Sequence, residues 1–199
     1  MAILFQYNKT SLQKLEREMR IRLQALPTLA AKETALRLEV HKAKQAVQEL
    51  AERLRRHTEG AAAFNRLWHE LPEDLVAVSD VRLTAVKIAG VAVHRLDRIV
   101  FSVKSYSLFG RPAWLPDGIE LLKQQVELRM RIDLARRAVA TLENARRKTT
   151  QKVNLYEKVQ IPAYRDAMLK IKRFLEDEDN LAKSAQKILK ARLAQAEAA

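Results

Sequence analysis

Cysteine is missing altogether, and glycine occurs four times and proline five times in 199 residues. Without a thiol there is neither a disulfide scaffold nor a thiolate metal site, which agrees with a reducing compartment. Four glycines and an aromatic share of 6% are unlike an ordinary mixed domain. No apolar run approaches the roughly 18 residues that a membrane-spanning helix needs. The opening Met1-Ala2-Ile3-Leu4-Phe5-Gln6-Tyr7-Asn8-Lys9 carries an apolar run too short for a signal peptide.

What the chain has instead is Ala, Leu, Lys, Arg, Glu and Gln, the composition of long helices, with a hydrophobic content of 48% that excludes disorder. From Leu115 to Leu193, apolar residues recur at helical spacing: Leu128, Ile132, Ala135, Val139 and Leu142, then Val153 and Tyr156, then Ala167, Ile171, Phe174, Leu181, Ala185 and Ile188. Steps of three and four put them on one helix face. Such a helix, at about 1.5 Å per residue, would span roughly 110–120 Å and needs a partner of similar length. The first part of the chain supplies one. Leu12, Leu15, Met19, Leu26, Leu29, Leu36, Val40, Ala43, Val47, Leu50 and Leu54 alternate by three and four, with Arg22 and Glu33 as polar seam residues that fix register. Five or more heptads predict a coiled coil, folded back as an antiparallel hairpin of helices whose paired residue numbers add to about 185–190.

Three segments follow. Residues 1–76 hold the first long helix, opened by a capping box of Thr10 and Gln13, weakened at Gly60 and stopped by Pro72. Residues 77–116 change period: Val81, Leu83 and Ala85 alternate with Arg82 and Thr84, and the alternation resumes across Lys87-Ile88-Ala89-Gly90-Val91, predicting a short β-hairpin with its turn at Ala89-Gly90. A second turn is expected at Phe109-Gly110-Arg111-Pro112, and Phe64, Trp68, Phe101, Tyr106, Phe109 and Trp114 gather here, fit either for a local mini-core or for a partner patch. Residues 117–199 hold the second long helix, with Asp117 as N-cap and Glu120 as its capping-box partner. Pro27 and Pro162 should bend the two helices at one level, and the four-and-four spacing of Ala163, Ala167 and Ile171 is a stutter in the seam.

The net charge of +13 raises the question of nucleic acid, but the excess is spread along both helices with acids interleaved. Its densest cluster, Arg146-Arg147-Lys148 with Lys152, reads as a solvated face or as a contact with acidic loops. Chemistry is hard to find. Lys148-Thr149 lacks the glycines of a phosphate-binding loop, and His41, His57, His69 and His94 are scattered without metal-ligand spacing. No catalytic, cofactor or metal residue is assigned.

Val153-Asn154-Leu155, then Val159, Ile161, Pro162, Met168 and Ile171, resembles a segment of the D subunit of the V-type and A-type rotary ATPases. Lys87-Ile88-Ala89-Gly90-Val91 resembles that family's hairpin, and the order long helix, hairpin, long helix is the family's over nearly the whole chain. The resemblance implies a non-catalytic central rotor shaft, the central stalk, coupling ATP hydrolysis or synthesis to rotation and to H+ or Na+ transport. The implied partners are the hexamer of A and B subunits, the F subunit, and a connecting subunit leading to the membrane ring, with a peripheral position on the cytoplasmic face. The hexamer contacts expected are Arg17, Arg20, Arg22, Lys170 and Arg173. The stalk-partner contacts expected are Lys87, Ile88, Gly90, Val91, Phe101 and Trp114. The seam is Leu36, Val40, Val47, Leu50, Leu54, Leu128, Ile132, Val139, Val153 and Ile171. The competing reading is a free-standing basic coiled-coil adaptor or nucleic-acid-binding rod, marked by salt-sensitive binding. A secretion or flagellar export stalk is a third, disfavoured by the Gly90 turn.

Overall fold

A computed structural model describes residues 3–64, 67–72, 74–107, 109 and 111–197. The Phe64 side chain and Gly110 of the second expected turn lie outside the described residues. The chain is mostly helical, with helix α1 at Lys9–Gly60, strands β1 at Val76–Ile88 and β2 at Val91–Val103, helix α2 at Leu115–Asn154 and helix α3 at Ile161–Glu197. Short 3₁₀ turns occupy Ala61–Phe64 and Trp68–Glu70, and a π-turn at Leu155–Gln160 joins α2 to α3. Two compact units result, one of residues 1–31 with 149–199 and one of residues 32–148.

The ends of the helices differ from expectation in instructive ways. α1 is capped by Asn8, not Thr10: the Asn8 carboxamide oxygen accepts the backbone N–H of Ser11 at 2.6 Å, satisfying a donor that the helix itself cannot. The α-helix stops at Gly60, well before Pro72, and 3₁₀ turns follow. Glycine lacks a Cβ and loses the most backbone entropy in a helix, so the segment beyond it is the easiest to release. α2 starts at Leu115, with Asp117 inside its first turn where a carboxylate meets the positive end of the helix dipole. Pro116 is tolerated there because a first-turn N–H has no intrahelical acceptor.

In the first unit, Leu15 of α1 packs with Ala167, Met168 and Ile171 of α3, flanked by Leu12, Met19, Tyr164 and Leu175. Glu16 faces Lys172 at 3.9 Å and Arg22 bonds Gln160, so the helices run antiparallel. The four-and-four spacing expected of Ala163, Ala167 and Ile171 is present, and all three are covered. Pro162 has no N–H and its ring would press on the carbonyl four residues back. The backbone answers with the π-turn, in which the Ile161 N–H bonds the Tyr156 carbonyl five residues away. From Ile161 onward, Tyr164, Met168, Ile171 and Leu175 add a three-four alternation of covered positions beside that spacing. The π-turn adds a further slip of one residue between Tyr156 and Ile161. Pro27 lies within an unbroken α1.

Another departure lies at the far end of α3. Every described side chain from 176 to 193 is exposed, so Leu181, Ala185 and Ile188 have no partner helix, and Phe174 instead stacks on Tyr7 with ring centroids 4.9 Å apart. α1 begins at Lys9 and is too short to cover them.

In the second unit, the hairpin is longer than its sequence pattern predicts, 13 residues per strand, and Ile88 pairs with Val91 across the Ala89-Gly90 turn. Both turn residues have positive φ, 49° and 78°, the two-residue loop whose twist matches that of the strands. Ser79 is the extra residue of one β-bulge and Asp97 of another, on opposite strands, so the register recovers. The hairpin does not stand free. Val93 is buried against Leu36 and Val40 of α1 and Leu142 of α2, with Val86, Ile88 and Val91 around it. At its base, Leu75, Leu115 and Ile119 form a second small core with Leu71, Val76, Tyr106 and Trp114.

Candidate interaction surfaces

The seam positions are the first to account for. Leu36 and Ile171 are fully buried, Val40 and Ile132 nearly so, and Val47, Leu50, Leu54, Leu128, Val139 and Val153 are half-buried. Of the two polar seam residues, Glu33 accepts from Arg37 at 3.0 Å. Arg22 is the more consequential. Its Nε donates to the Gln160 carboxamide oxygen at 2.6 Å, and its Nη1 donates to the Glu18 carbonyl at 2.8 Å and to the Glu18 carboxylate. The guanidinium lies 4.7 Å from the Tyr164 ring centroid and 5.9 Å from that of Tyr156. A planar cation near two aromatic rings, with one donor on the π-turn and another on Glu18 of its own helix, is held by stacking and hydrogen bonds together. The hydrogen bond from Arg22 and its charge hold the Glu18 carboxyl below its ordinary value.

Of the other residues expected to meet a hexamer, Arg17, Arg20, Lys170 and Arg173 are all exposed in the first unit, whereas Arg22 is turned into the seam with its side chain 19% exposed. Pro27 and Pro162 lie on the same unit. The apolar stripe of Leu181, Ile188, Leu189 and Leu193, 55–72% exposed, has seam spacing without a seam partner, because spacing cannot tell a covered stripe from one that awaits another chain.

In the second unit, Lys87 and Gly90 are exposed while Ile88 and Val91 pack on the helices. Two of the four expected hairpin contacts thus serve the fold. A Cβ at Gly90 would lie 3.6 Å from the Lys32 ammonium of α1, which places the turn beside that helix. Phe101 is half-buried and Phe109 is 95% exposed. Trp114 meets Trp68 edge-on at 6.1 Å, and its Nε1 donates to Glu70 at 3.4 Å. A Cβ at Gly118 would come within 2.5 Å of the Trp114 ring, so that glycine is a seat for the indole. Trp114 therefore belongs to the mini-core. The Lys44 hydrogen bond and charge lower the Glu143 carboxyl, joining α1 to α2 at 2.6 Å, and Arg55 does the same for Glu52 within α1.

Arg146 is half-buried, while Arg147, Lys148 and Lys152 are exposed. His57 is half-buried, its Nε2 2.9 Å from the Gln124 carboxamide oxygen. Among the described residues, no three His, Asp or Glu converge as metal ligands, and no helix is long and apolar enough to cross a membrane.

A family model described as the D subunit of ATP synthase matches residues 11–191. The V-type ATP synthase D subunit of Borreliella burgdorferi is 29% identical over 187 residues, covering 93% of each chain. That of Chlamydia trachomatis serovar L2 is 29% identical over 175 residues, 85% of this chain and 86% of its own, and that of Chlamydia felis is 31% identical over 170 residues, 82% of each. With a match that runs through both long helices and the hairpin between them, the chain belongs to the family of ATP synthase D subunits.

Proposed function

We propose that the chain is the non-catalytic central shaft of a V-type ATPase or ATP synthase. It transmits torque between a catalytic hexamer of A and B subunits and a membrane ring that carries H+ or Na+. The F subunit sits on its flank, a connecting subunit joins it to the ring, and the assembly is peripheral on the cytoplasmic face. The observation that carries the reading, beside family membership, is the bare end of α3. A helix that leaves Leu181, Ile188, Leu189 and Leu193 uncovered next to a well-packed two-helix seam is built to enter another protein. The surrounding hexamer supplies the cover, and Arg17, Arg20, Lys170 and Arg173 meet its acidic loops. Opening and closing of the nucleotide sites in turn pushes on an asymmetric shaft, bent at Pro27 and Pro162, and turns it.

The test is assembly. The purified chain is mixed with A and B subunits, with and without the F subunit, and the complexes are weighed by native mass spectrometry. One copy per hexamer, together with altered ATPase activity, is the expected result. Leu181→Glu with Ile188→Glu should lower hexamer retention without changing thermal melting, because both side chains are already in water. No association, with nucleic-acid binding that collapses between low and moderate salt, would sink the shaft and favour the adaptor.

A further inference from the structure

Beside the hairpin, the second unit has a cleft of about 260 Å³. Its floor is small and apolar, Ala46 and Leu50 from α1 and Leu134 and Ala135 from α2, with Ile88 and Val93 on the strand side. Arg95 and Arg131 stand at its edge. Cross-strand partners share a face of the sheet, so Val86 with Val93 and Ile88 with Val91 lie on the face packed against the helices. Farther from the turn, the hairpin changes character: its pairs include Thr84 with Arg95 and Arg82 with Arg98, all exposed. Within the cleft the helix side is apolar apart from Arg131 at its edge, and on the strand side the valines give way to Arg95, with Arg98 farther along the same strand.

That combination is unfavourable for the chain alone. Arg82 and Arg98 are directly opposite, and like charges at that spacing repel. Asp80 relieves only Arg82, at 3.3 Å, and Glu127 holds Arg131 at 2.6 Å. Among the described residues, Arg95, Arg98 and the bulge residue Asp97 take part in no ion pair. A hairpin made only to lie on its helices would continue the valines. We infer that this cleft docks an acidic segment of a neighbouring protein subunit, one or two large apolar side chains filling the floor and flanking carboxylates bonding Arg95 and Arg98. The space is smaller than the roughly 300 Å³ and upward of clefts that enclose a whole small-molecule ligand, and it is of a size for side chains. Guanidinium forks match carboxylates in bidentate pairs, and a bare polyphosphate would leave the apolar floor unused. The inference rests on the shaft reading for the identity of its candidate partners.

The test uses two full-length variants whose melting is compared with the parent chain: Arg95→Glu with Arg98→Glu, which reverses the charge, and Ala46→Phe, an exposed floor position, which fills the cleft. Each is titrated with the F subunit, with the connecting subunit separately, with polyphosphate, and with phosphatidylglycerol vesicles, and each is also assembled with the A/B hexamer. The expected result is that the parent chain binds one of the two subunits and that both variants bind it at least tenfold more weakly, with one copy per hexamer retained. Unchanged affinity in either variant, or no binding of either subunit by the parent, overturns the inference. A loss confined to polyphosphate or vesicles overturns it as well and assigns the arginines to an anionic surface. Failure of the shaft reading appears elsewhere, as a parent chain that never joins the hexamer.

Discussion

The two units cover the same kind of apolar stripe by different means. In the first, α1 meets α3 with only the short segment before α1, Ile3, Phe5 and Tyr7, beside them, a polar clamp of Arg22, Gln160 and Glu18 at the π-turn, and a bare helix beyond Leu175. In the second, α1 and α2 gain a third layer, the hairpin, whose valines close over Leu36, Val40 and Leu142. A pair of helices flanked only by a short non-helical segment can slide or close up when a side chain is lost. A braced pair cannot. Stiffness and adaptability are thus separated along one chain, and the less enclosed unit is the one with exposed apolar side chains at its helix end.

This contrast is sharpest at two fully buried seam residues, Leu36 and Ile171. Leu36→Ala and Ile171→Ala should each cost roughly 2–5 kcal/mol, with Leu36 the larger because its cavity cannot collapse. Urea denaturation of both variants measures the order, and a larger loss at Ile171 would break the comparison. Leu50 and Leu54 are only half-buried, and truncating either should cost less than either of these.

The base of the hairpin offers a second measure. Gly118→Ala drives a methyl into the Trp114 ring, and overpacking of this kind costs about 1–3 kcal/mol unless the indole swings away. Tryptophan fluorescence should shift along with a lowered melting temperature. An unchanged spectrum and midpoint would mean that the brace is looser than its packing suggests.

In the first unit, Arg22→Ala removes the hydrogen bond to Gln160 and the stacking on Tyr164, for about 1–3 kcal/mol. Hydrogen exchange should rise over residues 155–165 and stay unchanged over 36–48. Arg22→Lys should not restore protection, since an ammonium has neither the fork nor the flat face. Uniform exchange changes in both units would argue against a local clamp.

The smallest effect is acid sensitivity. Glu18, Glu52 and Glu143 have folded-state pKa values below the ordinary 4.5, so their contribution is present above that value and is lost as pH falls through the lower folded value. Stability should therefore decline below about pH 4.5, and added salt should shrink the decline because these pairs are exposed. Glu143→Gln should reduce the acid dependence of the second unit alone, and a pH profile identical to the parent's would remove Lys44–Glu143 from the account.

Much of the fold was legible because one requirement dominates it. Each of the eleven apolar seam residues named in α1 is buried or half-buried, since an apolar stripe on a long helix has to be covered and its period reports the face. The turn was legible because Gly90 follows a β-pattern and precedes another. Three features were not. The Asn8 cap competes with Thr10 on equal chemistry, and only the backbone path decides between them. The π-turn leaves a phase slip in the sequence, but its place depends on where Pro162 and the opposing Arg22 let the backbone widen. The contact residues were legible only in part: Arg22, Ile88 and Val91 look like surface candidates by type, yet packing takes them inward.

By itself, then, the sequence determined that two long helices pair through a heptad seam and that a hairpin interrupts them, because periodicity and turn chemistry are local properties. It determined equally that no cysteine chemistry is available. The tertiary structure alone decided that the hairpin lies on Leu36, Val40 and Leu142, that its cationic continuation adjoins an apolar floor, and that α3 outruns α1. Each of those depends on which distant residues arrive at the same place, and a repeat of three and four is silent about where along its length a partner stops.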